Sequence, residues 1–114
     1  MSEENCLFCK IIEGKIPGDL VHQDDSCVVI RDINPQAPMH MLVIPREHIE
    51  SLADATQKEE GLLGHLLRVG ARVANDQDHE SYRTVINTGP EAGQSVFHLH
   101  VHILAGRAMS WPPG

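Results

Sequence analysis

Positive charge is scarce in this sequence: 9 Lys and Arg stand against 16 Asp and Glu, for a formal net charge of −7. Binding to DNA or RNA relies on many Lys and Arg contacts to phosphates, so no nucleic-acid partner is expected. One small phosphate group remains compatible, because a few local donors can hold it on an acidic protein. Long apolar runs are missing too, with none near the roughly 20 residues that span a bilayer. The opening, MSEENCLFCK, has neither a basic n-region nor an apolar h-region. The expected location is cytoplasmic, with no membrane partner. The cysteines number only three, and an odd count without a secretory signal reads as thiols or metal ligands rather than a disulfide framework. Repeats, low-complexity tracts and interdomain linkers are absent, so residues 1–114 read as one domain. A chain of this length buries roughly two-thirds of its unfolded surface without covalent staples, and its 41% hydrophobic content fits a globular core.

What is present is a set of periodic segments. Phe8, Ile11 and Ile12 recur at helical spacing ahead of Pro17 and Gly18, which predicts a short helix from Leu7 to Ile16. Val21-His22, an Asp24-Asp25 turn and the run Cys27-Val28-Val29-Ile30 predict a hairpin. Asn34 to Pro38 is a connection, and Met39 to Ile44 reads as a buried strand stopped by Pro45. From Lys58 to Ala74, residues Leu62, Leu63, Leu66, Leu67, Val73 and Ala74 share one helical face, leaving Lys58, Glu59, Arg68 and Arg72 for water. Tyr82 to Asn87 and Phe97 to Leu104 complete the strands. The pattern predicts an α+β fold: an antiparallel sheet of about five strands with one long helix and a short N-terminal helix.

The most informative segment is the last strand, where His98, His100 and His102 alternate with Leu99, Val101 and Ile103. Residues two apart share a strand face, so the aliphatic side chains enter the core and the imidazoles line the other surface. Neighbouring imidazoles are then about 6.6 Å apart, close enough to share one phosphate. A neutral imidazole attacks phosphorus through one nitrogen and can later leave, provided the other nitrogen is held in the right tautomer. The preceding loop, ending in Gly93-Gln94-Ser95, offers backbone N–H groups, an amide and a hydroxyl as a phosphate cradle. Two other readings of the histidines stand beside this one: direct ligation of a catalytic zinc, and a solvated face without a role.

Three stretches carry a resemblance: CLFCKIIEGKIPGDLVHQDD, RDINPQAPMHMLVIPREHI and YRTVINTGPEAGQSVFHLHVHILAGRAMSWPPG. From Cys6 to Gly114 the sequence resembles the histidine triad (HIT) family, in its nucleotide-binding, purine nucleoside phosphoramidase branch. The resemblance implies a homodimer with sheets joined edge to edge, and a hydrolase that splits the P–N bond of a purine nucleoside 5′-phosphoramidate. AMP or GMP would be the nucleotide bound. His100 would be the nucleophile, His102 would contact the phosphate, and His40 would sit behind the nucleophile and help set its protonation. Asn87, Gly93, Gln94 and Ser95 would line the phosphate and leaving group, with Ser95 also serving catalysis. Asp32 would accept from the ribose hydroxyls. Leu7, Phe8, Ile11, Ile33 and Leu42 would form the slot for the base, and Trp111 would reach toward the partner subunit's site. Without the resemblance, Asp32 reads equally as a turn residue, Trp111 as a surface anchor, Asn87 and Ser95 as loop residues, and the apolar five as ordinary core. Ala105 departs from this branch, which usually has glycine there.

Cys6 and Cys9 form a C-x-x-C pair, insufficient alone to close a tetrahedral site. The resemblance adds His48 and His98, making a Cys₂His₂ set for a structural zinc that would staple the N-terminal segment to the sheet. No catalytic metal is expected. Paired reduced thiols are the other reading. Cys27 reads as a core thiol, and His22, His65 and His79 as surface or helix residues. Three rival functions remain: hydrolysis or transfer on other nucleotides such as dinucleoside polyphosphates, a nucleotide-binding interaction module with little catalysis, and a zinc enzyme using all three triad histidines.

Overall fold

Aliphatic and β-branched residues dominate two neighbouring segments, and both become central strands. A computed structural model describes residues 5–114. In it, β1 (Leu20–Gln23) pairs antiparallel with β2 (Cys27–Arg31), and β2 pairs with β3 (Met39–Pro45). β3 pairs in turn with β5 (Val101–Ala105), which carries β4 (Tyr82–Val85) on its other side. The order across the five-stranded sheet is β1-β2-β3-β5-β4. Helix α1 (Leu7–Ile12) precedes the sheet, and α2 (Glu60–Asp76) lies between β3 and β4 in the chain. This is the predicted α+β architecture.

Every residue of β3 is buried, because both faces of the sheet are covered at its centre. On one face Met41 and Val43 pack with Val29, Val101 and Ile103 beneath Leu66, Val69 and Val73 of α2. On the other, Leu42 and Ile44 join Val28 and Ile30 against Cys6, Phe8 and Cys9. Alternation along the strands divides the residues between these two layers. A methyl group at Gly70 would lie 2.7 Å from Ile103 Cδ1, so that glycine lets α2 approach β5 closely.

Several boundaries differ from those predicted. α1 stops at Ile12 instead of Ile16, where the chain turns through Gly14 at φ +78°. α2 starts at Glu60 rather than Lys58, because Thr56 and Glu59 form a capping box over a separate 3-10 turn, with Thr56 N–H donating to Glu59 Oε1 at 2.8 Å. Leu67 is exposed rather than in the core. The 3.6-residue repeat carries the apolar stripe from Leu66 through Val69 and Gly70 to Val73, leaving Leu67 to one side. β4 ends at Val85 rather than Asn87.

The change that matters for chemistry is in the histidine segment: β5 starts at Val101, not Phe97. Before it, Leu99 N–H donates to the Ile49 carbonyl at 2.7 Å instead of joining the ladder. Alternation nonetheless persists, so Leu99, Val101 and Ile103 all enter the helix-side core. Ala105 closes the strand, opposite Met39 and Tyr82, with its methyl buried.

Candidate active site

A cavity of about 560 Å³ opens on the face opposite α2. Leu7, Phe8, Ile11 and Leu42 form its apolar wall together with Ile30 of β2, a strand residue not among the expected site residues. Ile33, 98% exposed, stands at its lip. Asp32, His40, Gly93, Ser95, His100 and His102 form the polar side. The fold thus brings together most of the expected site residues. A slightly larger groove of about 600 Å³, around His79 and Arg107, is polar and holds none of the triad.

Backbone and side-chain hydrogen bonds assign the imidazole tautomers. The His100 Nδ1–H donates to the carbonyl of His98 at 2.7 Å, leaving Nε2 with its lone pair. The backbone N–H of Gln36 donates to His40 Nδ1 at 3.0 Å, so a neutral His40 carries its hydrogen on Nε2. That nitrogen lies 2.9 Å from His102 Nδ1 and 3.4 Å from Asp32 Oδ2. His102 therefore accepts at Nδ1 and keeps its own hydrogen on Nε2. One imidazole of the cavity has a lone pair to give, and its neighbour, 5.0 Å away between ring centroids, has an N–H.

Burial keeps these rings neutral. Desolvation lowers the pKa of His100, against the pull of the His98 carbonyl and Asp32. It also lowers that of His40, against Asp32. His102 is pushed down to about 4, by burial first and by His100 and His40 after it. Phe8 contributes to that burial, meeting His100 edge-on at 5.0 Å.

The glycine loop works differently from the prediction. Gly93 N–H is committed to the Pro90 carbonyl and Gln94 N–H to Gly89, both at 3.0 Å, so neither is a free phosphate donor. The buried Gln94 side chain braces the loop: Oε1 accepts from Gly89 N–H, and Nε2 donates to the carbonyls of Glu50 and Val96. Asn87 packs beside Gly93, whose φ of +102° suits glycine. Ser95 is exposed at the cavity, and neither its hydroxyl nor its N–H has a partner among the described residues. Trp111 does not line the cavity; it is 81% exposed, with the Arg83 guanidinium 6.0 Å over its ring. The role of the Gln36 N–H was missed because a backbone donor four residues before His40 leaves no mark in the side-chain pattern.

His98 faces away from the cavity. Fully buried, it donates from Nε2 to the Pro45 carbonyl at 2.8 Å and turns Nδ1 toward Cys6 Sγ at 3.2 Å and Cys9 Sγ at 3.5 Å. His48 Nδ1 lies 3.3 Å from Cys9 Sγ. One potential ligand atom from each of the four falls within 4.8 Å of the others, close enough to hold a metal ion and chemically suited to zinc. The Pro45 bond supplies the kind of outer-shell support that fixes a metal-binding histidine. With His98 aimed at the thiols, the three triad histidines do not converge on one point, as the three-histidine zinc enzyme would require.

Cys27 is buried and His65 is an exposed residue of α2, both as expected; His65 and the half-buried His22 also bind Asp24. Burial works to raise the Asp24 pKa, and hydrogen bonds from His22, Ser26, His65 and Cys27 outweigh it, holding the carboxyl well below the usual range.

Comparison with known proteins bears on this geometry. Residues 5–111 match the family model described as "Scavenger mRNA decapping enzyme C-term binding". An uncharacterized HIT-like protein of Synechococcus elongatus is 54% identical over 112 residues, which cover 97% of this chain and 98% of that one. The chain belongs to the HIT family. Among solved structures, a HIT family hydrolase from Legionella pneumophila superposes with a TM-score of 0.93 at 43% identity, covering 96% of this HIT chain and 100% of the other. A histidine triad protein from Clostridium difficile gives 0.92 at 39% identity, covering 96% and 97%. At family level the HIT fold supports nucleotide binding and hydrolysis. Among the described residues, no helix is long and apolar enough to cross a membrane.

Proposed function

We propose that this HIT protein hydrolyses purine nucleoside 5′-phosphoramidates through a nucleotidyl-histidine intermediate on His100. The observation that carries the reading is the division of labour between two imidazoles: His100 with Nδ1–H committed to the His98 carbonyl and Nε2 unprotonated, and His102 held as an N–H donor by His40 and Gln36. His100 Nε2 attacks the α-phosphorus and the P–N bond breaks. Because Nδ1 keeps its hydrogen, the product is a phosphoryl-imidazolium whose positive charge faces the His98 carbonyl. That charge keeps the imidazole a good leaving group for the second step. The His102 Nε2–H stabilises a non-bridging phosphoryl oxygen. The Ser95 hydroxyl passes a proton to the departing amine nitrogen as it takes one from water at the open cavity mouth. Water then attacks phosphorus, giving its proton to the hydroxide left at the cavity mouth; the bond to Nε2 breaks, its electron pair returns to His100, and the nucleoside monophosphate leaves.

The base lies against Phe8, Ile11 and Leu42, and Asp32 accepts from the ribose. The domain is a single unit over 1–114, at work in the cytoplasm. A zinc held by Cys6, Cys9, His48 and His98 is structural: it supplies a cross-link from the N-terminal segment to the sheet, and no catalytic metal is needed. We also take the protein to be a homodimer joined through β4. Among the described residues β4 pairs only with β5, and Arg83 on it donates to the Ser110 carbonyl at 2.9 Å, so sheet edge and Trp111 tail lie together and would reach the partner's cavity together.

The deciding experiment is steady-state hydrolysis of adenosine 5′-phosphoramidate by the wild type and His100→Ala, with AMP affinity measured on both. Turnover should vanish in the variant while AMP binding persists. A wild type that binds AMP and does not turn over would replace the enzyme reading with a nucleotide-binding module, and full turnover by His100→Ala would end the covalent mechanism.

A further inference from the structure

A second cluster of potential metal ligands lies on the other face of the sheet. At the β1–β2 turn, Asp24 Oδ1 accepts the backbone N–H groups of Ser26 at 2.8 Å and Cys27 at 2.9 Å, which fixes the carboxylate plane. The other oxygen, Oδ2, is thereby aimed at three side chains from three elements: His22 Nε2 of β1 at 3.0 Å, His65 Nε2 of α2 at 2.9 Å and Cys27 Sγ of β2 at 3.6 Å. His22, Asp24 and Cys27 bring ligand atoms within 4.8 Å of one another. The sulfur is fully buried, whereas the His65 side chain remains 43% exposed, so the cluster has a protein floor and a path from solvent.

We propose that His22, Asp24, Cys27 and His65 form a second site for a zinc-class divalent metal, clamping the β1–β2 hairpin to α2. Two imidazoles, a carboxylate and a thiolate are the nitrogen, oxygen and sulfur donors such ions take in four-coordinate sites. Each N–H and S–H already points at one carboxylate oxygen, and the ligand atoms of His22, Asp24 and Cys27 lie close enough to share one ion in place of those hydrogens, which His65 joins by a turn of its exposed side chain. Cys27 releases its proton to solvent, while each imidazole moves its hydrogen from Nε2 to Nδ1 and stays neutral. With all four ligands supplied by the chain, no position is left for a substrate, and the site is structural. It shares no residue with the Cys6, Cys9, His48 and His98 set, and it does not depend on the chemistry proposed for His100.

The test counts metal on the full chain. Metal-free, reduced protein is titrated with zinc against a chromophoric chelator, for the wild type, His65→Ala and His22→Gln, with circular dichroism confirming that each is folded. Each variant should bind one equivalent fewer than the wild type, and the zinc-dependent rise in Tm should shrink accordingly. Cobalt(II) gives an independent readout: loss of the His65 imidazole should remove the absorption of the ion ligated by one thiolate and leave that of the ion ligated by two. If folded His65→Ala and His22→Gln bind as many equivalents as the wild type, the cluster is only a hydrogen-bonded tie and the proposal is overturned.

Discussion

His98 and His100 stand two residues apart, both buried, yet they serve different regions of the molecule. His98 belongs to the corner where Cys6, Cys9 and His48 meet, with Nδ1 turned to sulfur and Nε2 fixed on Pro45. His100 belongs to the open cavity, with the nitrogens in opposite roles: Nδ1 is fixed on a carbonyl, that of His98 itself, and Nε2 is left for chemistry. The pair teaches that a two-residue alternation along the chain does not give residues a shared function. The partner of each ring's second nitrogen decides which atom is offered, and to what.

The sharpest way to break this comparison is to remove each ring in turn. His100→Ala should lower kcat by roughly 10³-fold or more while leaving Tm and zinc content near the wild type's. His98→Ala should do the reverse first, abolishing zinc at the cysteine corner and costing about 2–3 kcal/mol of stability. Calorimetry and metal analysis on the same samples separate the two, and equal loss of zinc in both would dissolve the distinction.

Next comes the ring that sets the tautomer of another. His40→Gln can still offer an N–H toward His102 but cannot be held there as an imidazole is, so kcat should fall about 10-fold to 100-fold with KM little changed. A wild-type pH profile in this variant would show that His40 only fills space.

A smaller effect is expected from pH. The unfolded histidine pKa is 6.5, and burial pushes folded His102 to about 4 and lowers His40. Between those values the unfolded state binds more protons, so stability rises with pH across the window and is progressively lost as pH falls from 6.5 toward 4. Chemical denaturation at intervals between pH 7 and 4 should show this decline, and it should be shallower in His102→Asn. The activity limb assigned to His102 should correspondingly lie below pH 6.5.

The smallest change concerns the loop alone. Gly93→Ala places a side chain at φ +102° beside Asn87, costing about 1–2 kcal/mol locally. Because this loop positions Ser95, KM for a phosphoramidate should rise while zinc binding stays as it was.

Much of this was legible along the chain. The run Cys27 to Ile30, the apolar Met39 to Ile44 and the amphipathic repeat ending at Ala74 announced two central strands and their covering helix, because local periodicity reports which side meets a core. Alternation placed Leu99, Val101 and Ile103 inside correctly, even though the ladder begins only at Val101. The fate of the loop was not legible: Gly93 and Gln94 looked like phosphate donors, and their N–H groups turned out to be consumed by Pro90 and Gly89. Competition between a loop's own carbonyls and a ligand for one N–H is settled by φ and ψ, which residue identity only biases.

The sequence by itself determined the strand alternation, the amphipathic helix, the spacing of three histidines and the family to which they belong, since each is a property of neighbours along the chain. Only the tertiary structure decided that His98 faces cysteines some ninety residues earlier, that Gln36 and His40 set the tautomer of His102, and that His22, Cys27 and His65 converge on Asp24. The reason is that an imidazole's chemistry depends on which nitrogen carries the hydrogen, and that choice is made by partners from distant elements.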